Sequence, residues 1–261
     1  MQSDLDKVAN WCTYYKLCLN SKKTNVLLFS HSFHRHFNHE HYRKLKLLGD
    51  DIDFVNDCTY LGINIDFKLL FDKFFNKLKA SVLHKMYVLG RIRKFLTKDA
   101  AVCIFKSMAL PYFEYGSIFL EICNNSQLDK LDRIFIRGIK LATNNFNNLP
   151  SRNFYDSVNL LPLKYRRYIS TCKLLHRKII RKEINIQNPP DNMVTRLQSG
   201  PTLEWPNVSN DKIKRFLPHL GPTIWNSLPI YLRNIKDQNK FNTEIKKYFR
   251  VQYNQNQEYD I

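Results

Sequence analysis

The chain has 261 residues, 44% hydrophobic and 13% aromatic, which is enough for one or two packed domains and speaks against a disordered tail. No apolar run approaches the roughly 18–20 residues of a membrane span, and the Met-Gln-Ser-Asp-Leu-Asp start lacks the basic and apolar parts of a secretion signal. A net charge of +18, from 41 Lys plus Arg against 23 Asp plus Glu, is the footprint of a polyanion binder, although the Lys-, Asn-, Ile- and Phe-rich composition also follows from AT-rich coding.

The first predicted element is a helix opened by Ser3-x-x-Asp6, with Ser3 as cap, in which Leu5, Val8, Ala9 and Cys12 keep helical spacing. Asn20-Ser21 reads as its exit. Residues 25–29 form a short β-rich run, apolar enough at Val26, Leu27, Leu28 and Phe29 for burial on both faces. Leu45 and Leu47, then Ile52 and Phe54, alternate with charged residues around a Gly49-Asp50 hairpin signal. A third strand ends near Asp66.

Beyond Asp66 the period lengthens. Leu70, Phe71, Phe74, Phe75, Leu78, Val82, Met86 and Leu89 mark one helix up to Gly90. Further helices are expected over 99–109, before Pro111, then over 126–141 and over 165–183. Residues 187–220 read as loop, and a short helix over 241–249 follows Trp225-Asn226-x-Leu228-Pro229. Trp225 is expected to be a packing anchor and Asn226 a turn residue.

Two helices combine an apolar face with a cationic one. On a wheel of roughly 100° per residue, Lys73, Lys77, His84 and Arg91 fall within about 40° of one another, a stripe suited to following phosphates without reading bases. Lys164, Arg166, Arg167, Lys173, Arg177, Lys178 and Arg181 are expected to share one broad face of the 165–183 helix. Polyanion binding is the favoured reading there, and a membrane-surface helix the minority one.

Three other groups invite chemistry. The six cysteines are scattered with no Cys-x-x-Cys pair, as in a reduced intracellular protein, with nucleus and cytoplasm not distinguished. His31, His34, His36, His39 and His41 could hold Zn²⁺. However, Ser, Arg and Asn flank them as in an exposed loop, and beyond Glu40 nothing completes the set, so no metal site is expected. Asp50-Asp51 mimics a polymerase carboxylate pair but reads as a solvated turn.

Four blocks occur in order: Gln2-Ser3-Asp4-Leu5-Asp6 up to Trp11, Leu19-Asn20-Ser21-Lys22-Lys23-Thr24, Tyr60-Leu61-Gly62-Ile63-Asn64-Ile65-Asp66, and Leu110-Pro111-Tyr112-Phe113-Glu114-Tyr115-Gly116. Leu161-Pro162-Leu163-x-Tyr165-Arg166-Arg167 and the Trp225-Asn226 block extend the pattern more weakly. Together they resemble the reverse transcriptase of a jockey-like non-LTR retrotransposon.

The resemblance implies an α+β chain: the end of the palm over 1–66, a helical thumb over 67–150, and a basic C-terminal extension over 151–261. It implies that Lys23 lies near the incoming nucleotide and that Tyr60, Leu61 and Gly62 belong to the primer grip. RNA and DNA, as a template–primer duplex, are the implied partners. The family's catalytic Tyr-x-Asp-Asp belongs upstream of the Gln-x-Asp-Leu block, so no catalytic residue and no Mg²⁺ are expected within these positions. A truncated relic, or a binding protein derived from the element, is the alternative.

Overall fold

The structure, a computed structural model, describes residues 1–29, 43–186, 201–204 and 217–255. At a coarse level it is α+β, with helix predominating and a few short strands. Two compact units divide the chain, Met1–Phe74 and Phe75–Ile261.

In the first unit, α1 (Gln2–Tyr14) starts without a side-chain cap, because Met1 rather than Ser3 takes the capping position. Gln2 fastens it instead. Its Nε2 donates to the Lys46 carbonyl at 2.8 Å, and the Lys46 N–H donates to its Oε1 at 2.9 Å. The helix ends earlier than the Asn20-Ser21 exit expected from sequence. Lys16 turns left-handed (φ 56°), and the Leu17 N–H donates back to the Cys12 carbonyl.

Strand pairing makes three two-stranded ladders. β1 (Asn25–Leu27) lies parallel to β4 (Asp53–Val55). β2 (Lys46–Leu47) is antiparallel to β3 (Asp50–Asp51), and β5 (Asp57–Tyr60) to β6 (Ile63–Asp66). Ala9, Leu47 and Ile52 form the buried centre, with Leu5, Leu19, Val26 and Leu45 packed against it. The 25–29 run is not buried on both faces as expected. Val26 and Leu27 are half-buried and Phe29 is exposed, because β1 has a single partner.

Both hairpin tips use two residues of positive φ, Leu48-Gly49 (54° and 93°) and Leu61-Gly62 (48° and 81°), the geometry that matches strand twist. The first turn is thus shifted one residue from the Gly49-Asp50 expected, and Asp50 pairs with Leu47 inside the ladder. A leucine in this region costs about 1–2 kcal/mol. After β6 the Asp66 carboxylate accepts from the N–H groups of Lys68, Leu70 and Phe71, holding the bend that feeds α2 (Asp72–Ile92).

In α2 the expected apolar face is buried at Phe74, Phe75, Leu78, Val82, Met86 and Leu89. In the second unit, Thr97 caps α3 (Lys98–Met108), accepting from the Ala100 N–H. Pro111 sits in the first turn of α4 (Leu110–Glu114), where a missing N–H costs nothing, and α5 (Ser117–Leu120) follows Gly116. A full capping box between Asn124 and Gln127 starts α6 (Asn125–Thr143), and left-handed Asn144 ends it. Phe105, Phe113, Leu131, Phe135, Ile139 and Phe154, the last from α7 (Ser151–Ser157), fill one core.

A second core gathers Cys172 and Leu175 of α8 (Leu163–Ile180), Trp225 of α9 (Leu217–Asn226), Leu232 of α10 (Ile230–Arg233), and Phe241 and Ile245 of α11 (Gln238–Gln255). His176 stacks on Phe241 at 3.9 Å and 5°, with Nε2 at 2.7 Å from the Ile235 carbonyl. Trp225 is the expected anchor, fully buried, its Nε1 donating to the Pro201 carbonyl. Asn226 differs from the expected turn role: its amide exchanges two 2.9 Å hydrogen bonds with the Leu203 backbone, holding residues 201–204 as a strand partner would. Within the expected 187–220 loop, residues 217–220 already belong to α9. The histidines at 31, 34, 36, 39 and 41 lie outside the described residues.

Candidate nucleic-acid interface

The cationic stripe of α2 is real surface beyond its first turn. Lys77, His84 and Arg91 are exposed, and among the described residues none has an ion-pair partner. The Arg91 guanidinium sits 5.9 Å from the centre of the Tyr87 ring, within cation–π range. Lys73, though exposed, is engaged: its Nζ lies 2.5 Å from Asp57 Oδ2 within the first unit.

The structure adds a cation that the sequence reading did not select. Arg137 of α6 and Arg91 of α2 line the same cleft. Lys130, Arg133 and Arg137 are all exposed and fall within about 60° on the helix wheel. Spacing of i, i+3 and i+7 on an amphipathic helix was the available signal, with Asp129 before Lys130 and Asp132 before Arg133 breaking the run of positive charge along the chain.

α8 departs from the broad face expected of it. Arg167 is 5% exposed, and its Nε donates to Glu121 Oε1 at 2.6 Å, so it belongs to the interior and leaves the candidate surface. Arg166 is paired with Glu114. Lys178 and Arg181 both turn to Glu183, at 2.9 and 3.8 Å, and the Lys178 hydrogen bond holds the Glu183 carboxyl below its usual range. Lys173 is half-buried; burial first, then the nearby Lys246 charge, lowers its pKa. Lys164 and Arg177 remain exposed but about 140° apart on the wheel, so they do not form one surface. Glu114 of α4, Glu121 just after α5 and Glu183 just after α8 consume the charge that a sequence plot counts as solvent-facing.

In the first unit Lys23 is exposed at the end of a 3-10 turn, Ser21–Lys23. Asn20 Oδ1 accepts from the Lys23 N–H, and the Thr24 hydroxyl donates to the Asn20 carbonyl, so Asn20 and Thr24 shape this block. Tyr60, Leu61 and Gly62 form the β5–β6 tip, with Tyr60 65% and Leu61 72% exposed.

Asp50 and Asp51 are a strand rather than the expected solvated turn. Asp50 Oδ2 accepts from Ser21 Oγ at 2.7 Å, and Asp51 lies 3.9 and 4.0 Å from Lys44 and Lys46. Successive strand residues point to opposite faces, so the pair does not converge on one ion. These residues do not fit the Mg²⁺ of the resembled polymerase.

Charge separates between the two units. Residues 1–74 hold 10 Lys and Arg against 9 Asp and Glu, a net +1, whereas residues 75–261 hold 31 against 14, a net +17. Among the described residues no helix is long and apolar enough to cross a membrane. No family model, curated protein or solved structure matches this chain.

Proposed function

We propose that the chain is the C-terminal part of a jockey-like retrotransposon reverse transcriptase, and that its second unit grips an RNA–DNA template–primer duplex by the phosphates. The separation of charge carries the reading. A net +17 confined to one unit, beside a unit of net +1, is an electrostatic surface with an address. AT-rich coding enriches lysine along a whole chain and does not account for such a split. Lys77, His84 and Arg91 on α2, with Lys130, Arg133 and Arg137 on α6, are exposed and form the gripping set. Their side chains reach phosphates, not base edges, so the binding is indifferent to sequence.

The test is binding of a short blunt RNA–DNA hybrid to the full chain across a salt series. Affinity falls steeply, with a log–log slope of about −0.9 per phosphate neutralised. Lys77→Glu with Arg91→Glu weakens binding by about tenfold or more and flattens the slope by about 2. Lys7→Glu with Lys22→Glu in the first unit changes little. A flat salt response, or an equal loss from the first-unit pair, overturns the reading.

A further inference from the structure

Arg91 and Arg137 flank a cleft of about 500 Å³ whose other walls are apolar: Met86 and Leu141 inside, Tyr87 and Phe146 at the mouth. We propose that this cleft takes an unpaired nucleotide of the bound nucleic acid, its base among Tyr87, Phe146 and the apolar walls and its phosphate on the two guanidinium groups. The proposal rests on the nucleic-acid reading above and goes beyond it, because a paired duplex offers phosphates but keeps its bases stacked inside.

The chemistry of the lining selects this occupant. Among the described residues neither arginine has a carboxylate partner, so the site calls for an anion. Tyr87 and Phe146 are each 62% exposed and line the same cleft, so together they offer two aromatic rings that a flat group can cover. An aromatic ring bearing a phosphate satisfies both demands, and aromatic side chains are sequence-tolerant platforms for single-stranded bases. The cleft falls within the usual size range of small-ligand sites.

Gly90 supplies an independent observation. It is helical and exposed, and a Cβ there would meet only the Leu141 methyl groups, at 3.8 Å. Packing therefore leaves room for alanine, although glycine weakens a helix relative to alanine. What the missing side chain does provide is open space on the wall of the cleft.

The experiment compares the blunt RNA–DNA hybrid with the same hybrid carrying a single-stranded tail of a few nucleotides, using the full chain. The tail is expected to tighten binding about tenfold. Gly90→Leu, which fills the cleft with a good helix former, and separately Phe146→Ala, abolish that gain while the blunt hybrid binds as before. Equal affinity for both hybrids, or a gain that survives both substitutions, overturns the cleft proposal and leaves duplex gripping standing. Failure of both hybrids to bind overturns both readings. An acidic, aromatic-bearing peptide whose binding is lost in Gly90→Leu, with no gain from the tail, assigns the cleft to a protein partner and also overturns the proposal.

Discussion

At Asp132, on α6, burial and a neighbouring charge pull against each other. Desolvation pushes its carboxyl above the usual value of about 3.9. The Arg167 charge opposes that push, Asp129 and Glu121 add to it, and Lys164 opposes it weakly. Arg167 is already committed to Glu121 at 2.6 Å, and Asp132 Oδ1 is buried without a hydrogen-bond partner among the described residues. The folded chain therefore holds this proton more tightly than the unfolded chain. Between about 3.9 and the raised folded value the native state binds more protons, so stability falls as pH rises through that window. The full penalty is present above the raised folded value and absent below the unfolded value. Asp132→Asn keeps the shape and removes the titration. In urea unfolding at neutral pH it is expected to be at least as stable as the parent, with the advantage shrinking toward pH 4. A variant weaker than the parent at neutral pH would mean that the attraction to Arg167 outweighs burial.

At the scale of elements, the contact between α3 and α6 depends on Gly138. A Cβ there would lie 3.1 Å from Phe105 Cζ and closer still to Cε2. Phe105 is 1% exposed and sits 5.7 Å from the Phe135 ring, so it has nowhere to swing. Gly138→Ala is expected to cost about 1–3 kcal/mol in denaturant unfolding, the range for overpacking a tight core. A neutral result would mean the helices separate at little expense. The same two helices mark what sequence reveals and what it hides. Their apolar period is legible because burial of one face imposes it, and Pro111 reads correctly as the boundary after α3. The start of α11 was missed by three residues and its end by six: expected over 241–249, it runs over 238–255. Its buried positions, Phe241, Ile245, Phe249 and Tyr253, recur at i+4 amid Asn, Gln and Lys, which dilute the signal. Arg167 was misplaced because a charge looks solvent-facing until its partner, 46 residues away on α5's exit, is known. Arg137 carries no local mark either, since nothing in the helix pattern of 126–141 tells that Arg91 of α2 lines the same cleft. The Met1 start of α1 rests on long-range pairing of Gln2 with Lys46, which no local pattern encodes.

For the whole molecule, the unit that carries almost no net charge also carries the smaller core. Among the described residues, 1–74 bury Ala9, Leu47 and Ile52 as one cluster, with Cys12, Ile63, Phe71 and Phe74 buried besides, and their strands form three ladders of two strands each. A two-stranded ladder is marginal in water, because each strand keeps an unpaired edge and shares its apolar face with little else. Leu48 and Leu61 add left-handed strain at both hairpin tips. Residues 75–261 have the opposite balance. Phe105, Leu131, Phe135, Phe154, Trp225, Phe241 and Ile245 are all at or below 1% exposure, and each full burial contributes roughly 1.5–3 kcal/mol. Self-repulsion from +17 works against this unit, but exposed charges farther apart than about 8 Å are largely screened at physiological salt. Burial therefore wins. Native-state amide exchange is expected to be fast across 43–66 and slowest in α6, α8 and α11, with the first unit opening at a lower free energy than the second. Amides of β5 and β6 that exchange as slowly as those of α6 would contradict this ordering. They would establish the first unit as an independently stable fold, and its hairpin tip, with Tyr60, Leu61 and Gly62, as a rigid platform rather than a yielding one.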